Sequence, residues 1–326
     1  MAISRAGVSS FGVLFLAFAV STANALQSRV NGGASAVLGN PVVAAMMSVG
    51  GAFIVSLVIV LARKPARRAL RVLVANPKKL ALEPWQFFAG FGGGIFILGQ
   101  ALVVPAFGVS VYIIAVVAGQ TVASLWVDHL GIGPAGKKTV TVVRVLAALL
   151  ATVGVVISAF GRGELPSVAV AAVAYGLAAG GATAVQYALN GRIASATGSA
   201  MVTSALNFAM GFTLLTVVLT ISTVTGVWAL TAPVSLIDRP DLWLGGPLGL
   251  LFIASAALFV KRLGVLVFAV VSVLGQLVGA ILLDVFFPTP GTLLTWLLVL
   301  GLLVTAAGAL AATANSRRST SASSTQ

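Results

Sequence analysis

Apolar runs, each broken by a short polar interval, set the pattern of the chain. They fall at 8–27, 38–62, 85–106, 109–127, 142–160, 167–190, 199–224, 242–260, 264–284 and 291–313. A membrane-crossing helix needs about 20 such residues. The intervals carry turn and cap signals, among them Asn31-Gly32-Gly33, Asn40-Pro41, Glu83-Pro84, Gly161-Arg162-Gly163, Arg239-Pro240-Asp241 and Pro288-Thr289-Pro290. The pattern predicts an all-α polytopic membrane protein with ten transmembrane helices. Arg5 before the apolar stretch 11–20, followed by Ala23-Asn24-Ala25, has the look of a cleavable leader. The repeat described below argues for its retention, because cleavage would leave the first half one helix short.

The same runs repeat. Ala25, Gln27, Asn31, Gly32, Gly39, Val43 and Phe53 match Ala184, Gln186, Asn190, Gly191, Gly198, Val202 and Phe212 at an offset of 159. Gly90, Gly93, Gly108, Gly119, Gln120, Val122 and Asp128 match Gly246, Gly249, Gly264, Gly275, Gln276, Val278 and Asp284 at 156. Trp85 and Trp243 are expected to open corresponding helices. The chain therefore divides into a first five-helix repeat (1–160), a second (161–314) and a disordered cytoplasmic tail (315–326). Five is odd, so the second unit enters the membrane inverted. Inverted repeats are the architecture of alternating-access transport.

Composition and charge then narrow the picture. Only 8% of residues are charged and 59% are hydrophobic, with mean hydropathy +1.12. A soluble domain carries roughly 25% charged residues, so a water-facing surface is excluded. The net charge of +13 reads as orientation rather than nucleic-acid binding. Of 19 Lys and Arg, all but Arg29, Arg162 and Arg239 fall on one side of the predicted topology. The positive-inside rule puts that side, and both termini, in the cytoplasm. The chain is thus expected in the cell membrane as a multi-pass protein. The basic interval 63–84 carries a short amphipathic stretch, 67–74, read chiefly as a topology anchor. Cys is absent and His occurs once, so no metal site and no cofactor are expected.

The repeated residues resemble a known family. Trp85, Gly90-Phe91-Gly92-Gly93-Gly94, Gly108, Gly119-Gln120 and Asp128-His129-Leu130-Gly131 resemble the YdcZ-type family of the drug/metabolite transporter superfamily, alongside EamA-like transporters. The second copy keeps Trp243, Gly249, Gly264, Gly275-Gln276 and Asp284, with Val285-Phe286-Phe287 in place of His-Leu-Gly. The resemblance implies a ten-helix bundle of two inverted halves that carries small metabolites or drugs. Small multidrug members of that superfamily use a first-helix Glu for proton and cation binding. The runs 8–27 and 167–190 contain no acid, which speaks against that mechanism.

Six polar side chains are candidates for the substrate pathway. Gln120 and Gln276 sit mid-helix behind a glycine, where lipid offers an amide no partner. They read either as interhelical glue, worth ~0.6 kcal/mol on average, or as paired amides facing a midplane cavity. Gln27 and Gln186, near the ends of their runs, are candidates for the same pathway, with Gln100, which has no polar match in the second copy. Asn31 and Asn190 read as caps. Tyr112 is a candidate aromatic wall, with Tyr175 and Tyr187 weaker ones. Asp128 and Asp284 end corresponding helices, where the helix dipole disfavours an anion. They read as gating groups, or as interfacial carboxylates held by water or, for Asp128, by Lys137 and Lys138. Gly90 and Gly94 form a close-packing GxxxG rather than a phosphate loop.

The function expected is a secondary transporter of a small molecule, working in the lipid bilayer as monomer or homodimer. A channel or a non-transporting integral membrane protein is the alternative. An enzyme is not expected, because the acids lie on opposite faces and no His is buried.

Overall fold

The computed structural model describes residues 10–75, 77–134, 136–137, 139–160, 167–228, 239–263, 265–290 and 292–314. The tail 315–326, residues 1–9 and the turn at 161–163 lie outside them. Eleven helices and no strand occur among the described residues: α1 (Ser10–Leu38), α2 (Pro41–Ala62), α3 (Lys64–Ala75), α4 (Gly90–Phe107), α5 (Val109–Leu130), α6 (Val142–Phe160), α7 (Ser167–Thr197), α8 (Ala200–Val224), α9 (Gly245–Leu263), α10 (Val265–Phe286) and α11 (Trp296–Ala314). Seven helical segments are long and apolar enough to cross a membrane. They lie in α1, α2, α4 with the turn before it, α5, α7, α8 and α10. Helices α6 and α11 hold shorter apolar stretches, Val142–Ser158 and Trp296–Ala311.

Two expected boundaries are corrected. The run 8–27 continues as helix to Leu38, and 167–190 continues to Thr197. Asn31 and Asn190 are therefore interior residues, not caps. Packing overrides the Asn-Gly-Gly turn propensity here. Gly32 lies so close to α4 that a Cβ on it would sit 2.7 Å from Val104 Cγ1, and the Asn31 amide bonds Gln100 on α4. The true stops are Gly39 (φ 63°) and Gly198 (φ 66°), which enter the left-handed region that glycine tolerates. They differ by the repeat offset of 159. So do the N-caps that follow them. Asn40 accepts from the N–H groups of Val42 and Val43, and Ser199 from that of Val202. Trp85 and Trp243 lie in 3₁₀ turns ahead of α4 and α9 (Pro84–Ala89 and Pro240–Trp243), not at α-helix starts.

Helix α3 is amphipathic. Ala66 and Leu73 are buried beside Val60, Val202 and Ala205, while Lys64, Arg68 and Arg71 face outward.

Residue pairs give the helix directions. From Phe18 to Arg29, α1 meets Gly275 through Phe287 in rising order, so α1 and α10 run parallel. From Leu177 to Arg192, α7 meets Gly119 through Gly131 in rising order, so α5 and α7 run parallel. Ser28 and Gly32 of α1 meet Gln100 and Val104 of α4, again in parallel. Gly92 and Gly99 of α4 meet Gln186 and Tyr175 of α7 in reverse order. Helices α1 and α7 therefore run in opposite directions. Helices α6 and α11 cross in antiparallel fashion through Gly154 beside Gly301 and Thr305, and Gly308 beside Ala147 and Ala151.

Candidate functional site

The buried amides fall into two clusters, one among α1, α4 and α10 and the other among α5, α7 and α8. In the first, Asn24 Nδ2 on α1 donates to Gln276 Oε1 on α10 at 2.9 Å. Gln276 Nε2 donates to Ser272 Oγ at 3.1 Å. One turn further along α1, Ser28 Oγ donates to Asn24 O and accepts from Gln100 Nε2 at 2.8 Å. Asn31 Nδ2 closes the chain on Gln100 Oε1 at 2.6 Å. Asn24, Ser28 and Asn31 share one face of α1 by their i, i+4, i+7 spacing. Gln27 is buried against α9, where a Cβ on Gly249 would come within 2.4 Å of its Nε2. Asn31 Oδ1 and Ser48 Oγ are buried without a hydrogen-bond partner, beside Gly245 at the start of α9.

In the second cluster, Gln120 Nε2 on α5 donates to Thr183 Oγ1 on α7 at 2.9 Å. Gln186 Nε2 donates to Asn207 Oδ1 on α8 at 2.9 Å. A Cβ on Gly93 would lie 2.8 Å from Gln186 Nε2.

The two clusters correspond at their central contacts. Thr183 is Asn24 plus 159, and Gln276 is Gln120 plus 156. Gly93 against Gln186 is matched by Gly249 against Gln27, and Gly119 against Leu177 O by Gly275 against Phe18 O. Gln120 and Gln276 thus pair with α7 and α1 rather than with each other. Asn24, Ser28, Thr183, Asn207 and Ser272 were not singled out from the sequence. The repeat register alone could have pointed to Thr183, as the residue facing Gln120.

Tyr112 is fully buried, and its hydroxyl donates to Phe96 O at 2.5 Å. Tyr175 does the same to Ile95 O at 2.9 Å. Both hydroxyls are spent on the α4 backbone. Outside the apolar helices, Arg239 hydrogen-bonds Asp241 at 2.8 Å on the surface, and that bond holds the Asp241 carboxyl below its ordinary range.

The two acids have different partners. Asp128 pairs with Arg144 at 2.6 Å, its carboxylate 24% exposed and the guanidinium side chain 7% exposed. Arg144 begins α6, which packs beside α5, so it reaches the acid. Asp284 is 1% exposed. Its Oδ1 accepts from Val109 N at 2.9 Å and its Oδ2 from Ser110 N at 2.7 Å. It ends α10 but caps the start of α5, where the dipole favours an anion. Asp284→Ala is expected to lower stability by ~1–2 kcal/mol, and Asp284→Asn by less, read as thermal melting in detergent. Among the described residues no cluster of three or more His, Cys, Asp or Glu could hold a metal.

Seven helical segments long and apolar enough to cross a membrane, with amides buried among the helices, define the class as a multi-pass membrane protein. The drug/metabolite transporter family described as "Putative inner membrane exporter, YdcZ" matches residues 12–157 and 171–311. The chain belongs to this family. No curated protein matches it.

Proposed function

We propose that the protein is a secondary transporter that moves a small metabolite or drug-like molecule across the cytoplasmic membrane by alternating access. It is built as ten spans in two inverted five-helix units, 1–160 and 161–314, with both termini cytoplasmic. It works as a monomer or homodimer in the bilayer. The observation that carries the reading is the exchange of partners between units. Asn24–Gln276 and Thr183–Gln120 are the same contact made twice, between helices whose first members, α1 and α7, run in opposite directions. Two halves related in this way can trade conformations, which turns an inward-facing state into an outward-facing one. The bounds of the two family-matched segments, 12–157 and 171–311, fall on the same division.

The buried amides line the pathway in this reading. Each is both donor and acceptor, so an amide pair can release its partner and bond a cargo without leaving a buried group unpaired. A metabolite screen by thermal shift on the purified protein identifies a ligand, and counterflow of that labelled ligand into preloaded proteoliposomes tests transport. A carrier accumulates label against the gradient and a pore does not. Gln120→Ala and Gln276→Ala are each expected to reduce counterflow about tenfold, the cost of a contact worth ~1.4 kcal/mol, with membrane insertion unchanged. Full activity in both single variants removes the pair from the pathway.

A further inference from the structure

Both acids have partners in this structure, and the ends of the pathway also need groups that can let go of theirs. Two arginines answer to that role. Arg29 Nε on α1 donates to Phe287 O, just past the end of α10, at 2.9 Å. Arg192 Nη2 on α7 donates to Gly131 O, just past the end of α5, at 2.7 Å, and its Nε reaches Gly133 O at 3.5 Å. Phe287 is Gly131 plus 156, so the two accepting carbonyls are equivalent positions. The arginines are one helical turn out of register, since Arg192 corresponds to Gly33 rather than to Arg29. That displacement explains why the residue matching hid the pair. Each arginine begins on the first helix of one half and grips the end of the fourth helix of the other. Because α1 and α7 run in opposite directions, the two grips lie at opposite ends of the bundle.

The chemistry suits a contact that is made and broken. The acceptor is a neutral carbonyl and the donor is partly exposed. Breaking the bond returns the guanidinium to water and strands no buried counter-charge. A buried ion pair would resist the same separation. The Asp128–Arg144 pair lies between α5 and α6, and breaking the Asp284 cap between α10 and α5 would strand a buried carboxylate, whereas the arginine grips can part without stranding a charge.

We propose that Arg29 and Arg192 are the positioning residues that hold the pathway shut, Arg29 at the outward end and Arg192 at the cytoplasmic end, each released in turn. This rests on the transport reading above. The chain contains no cysteine, so single reporters can be placed in the full-length protein. Ser48→Cys reports the outward end and Ser204→Cys the cytoplasmic end, both serines being buried. In vesicles of defined orientation a membrane-impermeant maleimide is applied from either face. A hydrogen bond to a charged donor is worth about a tenfold shift in a two-state equilibrium. Arg29→Ala is expected to raise labelling of Ser48→Cys about tenfold from outside and to lower that of Ser204→Cys from the cytoplasm. Arg192→Ala is expected to do the reverse. Equal responses of both reporters to each variant, or none, overturn the proposal, because a merely structural role loosens both ends alike. A third reporter, Thr183→Cys at the middle of α7 with both arginines intact, separates the two readings. Labelling of that central site from both faces supports alternating access even where the grips fail. Labelling from neither face counts against transport itself.

Discussion

Gly180→Val is expected to leave no monodisperse protein. A Cβ at Gly180 would lie 2.1 Å from Val116 O and 2.8 Å from Gln120 N. Across the same crossing, a Cβ at Gly119 would lie 2.1 Å from Leu177 O. The obstructing atoms are backbone, so neither helix can yield by changing a rotamer. Overpacking a core by side-chain atoms costs about 1–3 kcal/mol. Separating two helix backbones exceeds that and also pulls Gln120 from Thr183. Fluorescence-detected gel filtration in detergent reads the result. Gly51→Ala is the control, because a Cβ there meets nothing within 4 Å. Helix propensity favours alanine by ~1 kcal/mol, so that variant should melt at or above the parent temperature. A monodisperse Gly180→Val peak would mean that α5 and α7 do not approach as described.

The second large effect is expected at Arg144. Its removal leaves the Asp128 carboxylate facing α6 without its cation. Breaking a fully buried pair costs about 3–5 kcal/mol. Asp128 retains 24% exposure and can draw water, so Arg144→Ala should cost ~2 kcal/mol. The diagnostic is the double variant Asp128→Ala/Arg144→Ala, which should be more stable than Arg144→Ala alone. Melting of the two singles and the double supplies the coupling. If the costs simply add, the pair contributes nothing beyond its separate side chains.

The repeat was legible because it rests on glycines and amides whose spacing survives in a single sequence. Gly119-Gln120 and Gly275-Gln276 stand at close helix crossings, and both glutamines bond across them. What stayed hidden depends on neighbours distant in the chain. Asp284 lacks a base in its own loop. Its partners are the N–H groups of Val109 and Ser110, supplied by the start of α5, about 175 residues away in the chain. Asp128 was matched with Lys137 and Lys138 by nearness in sequence, but the start of α6 delivers Arg144 instead. Arg144 had been counted among the orienting bases and is largely buried. Asn31 reads locally as a turn residue, and its bond to Gln100 together with the packing of Gly32 against Val104 keeps it inside a helix. Chain contacts of this kind carry no periodicity, so no pattern in the sequence announces them.

The crossing of α6 and α11 has a consequence for how the protein is made. The glycine face of α6 is closed by Gly301 and Thr305, with Thr305 Oγ1 donating to Ala151 O at 3.2 Å. Those residues leave the ribosome about 140 residues after α6 ends. At ~5–20 residues per second, α6 waits on the order of 7–30 seconds for its partner. Through that interval its small-residue groove lies open in the bilayer, available to the translocation machinery or to other nascent helices. Conditions that slow translation of 161–314 should therefore raise the share of chains that mispair at this seam.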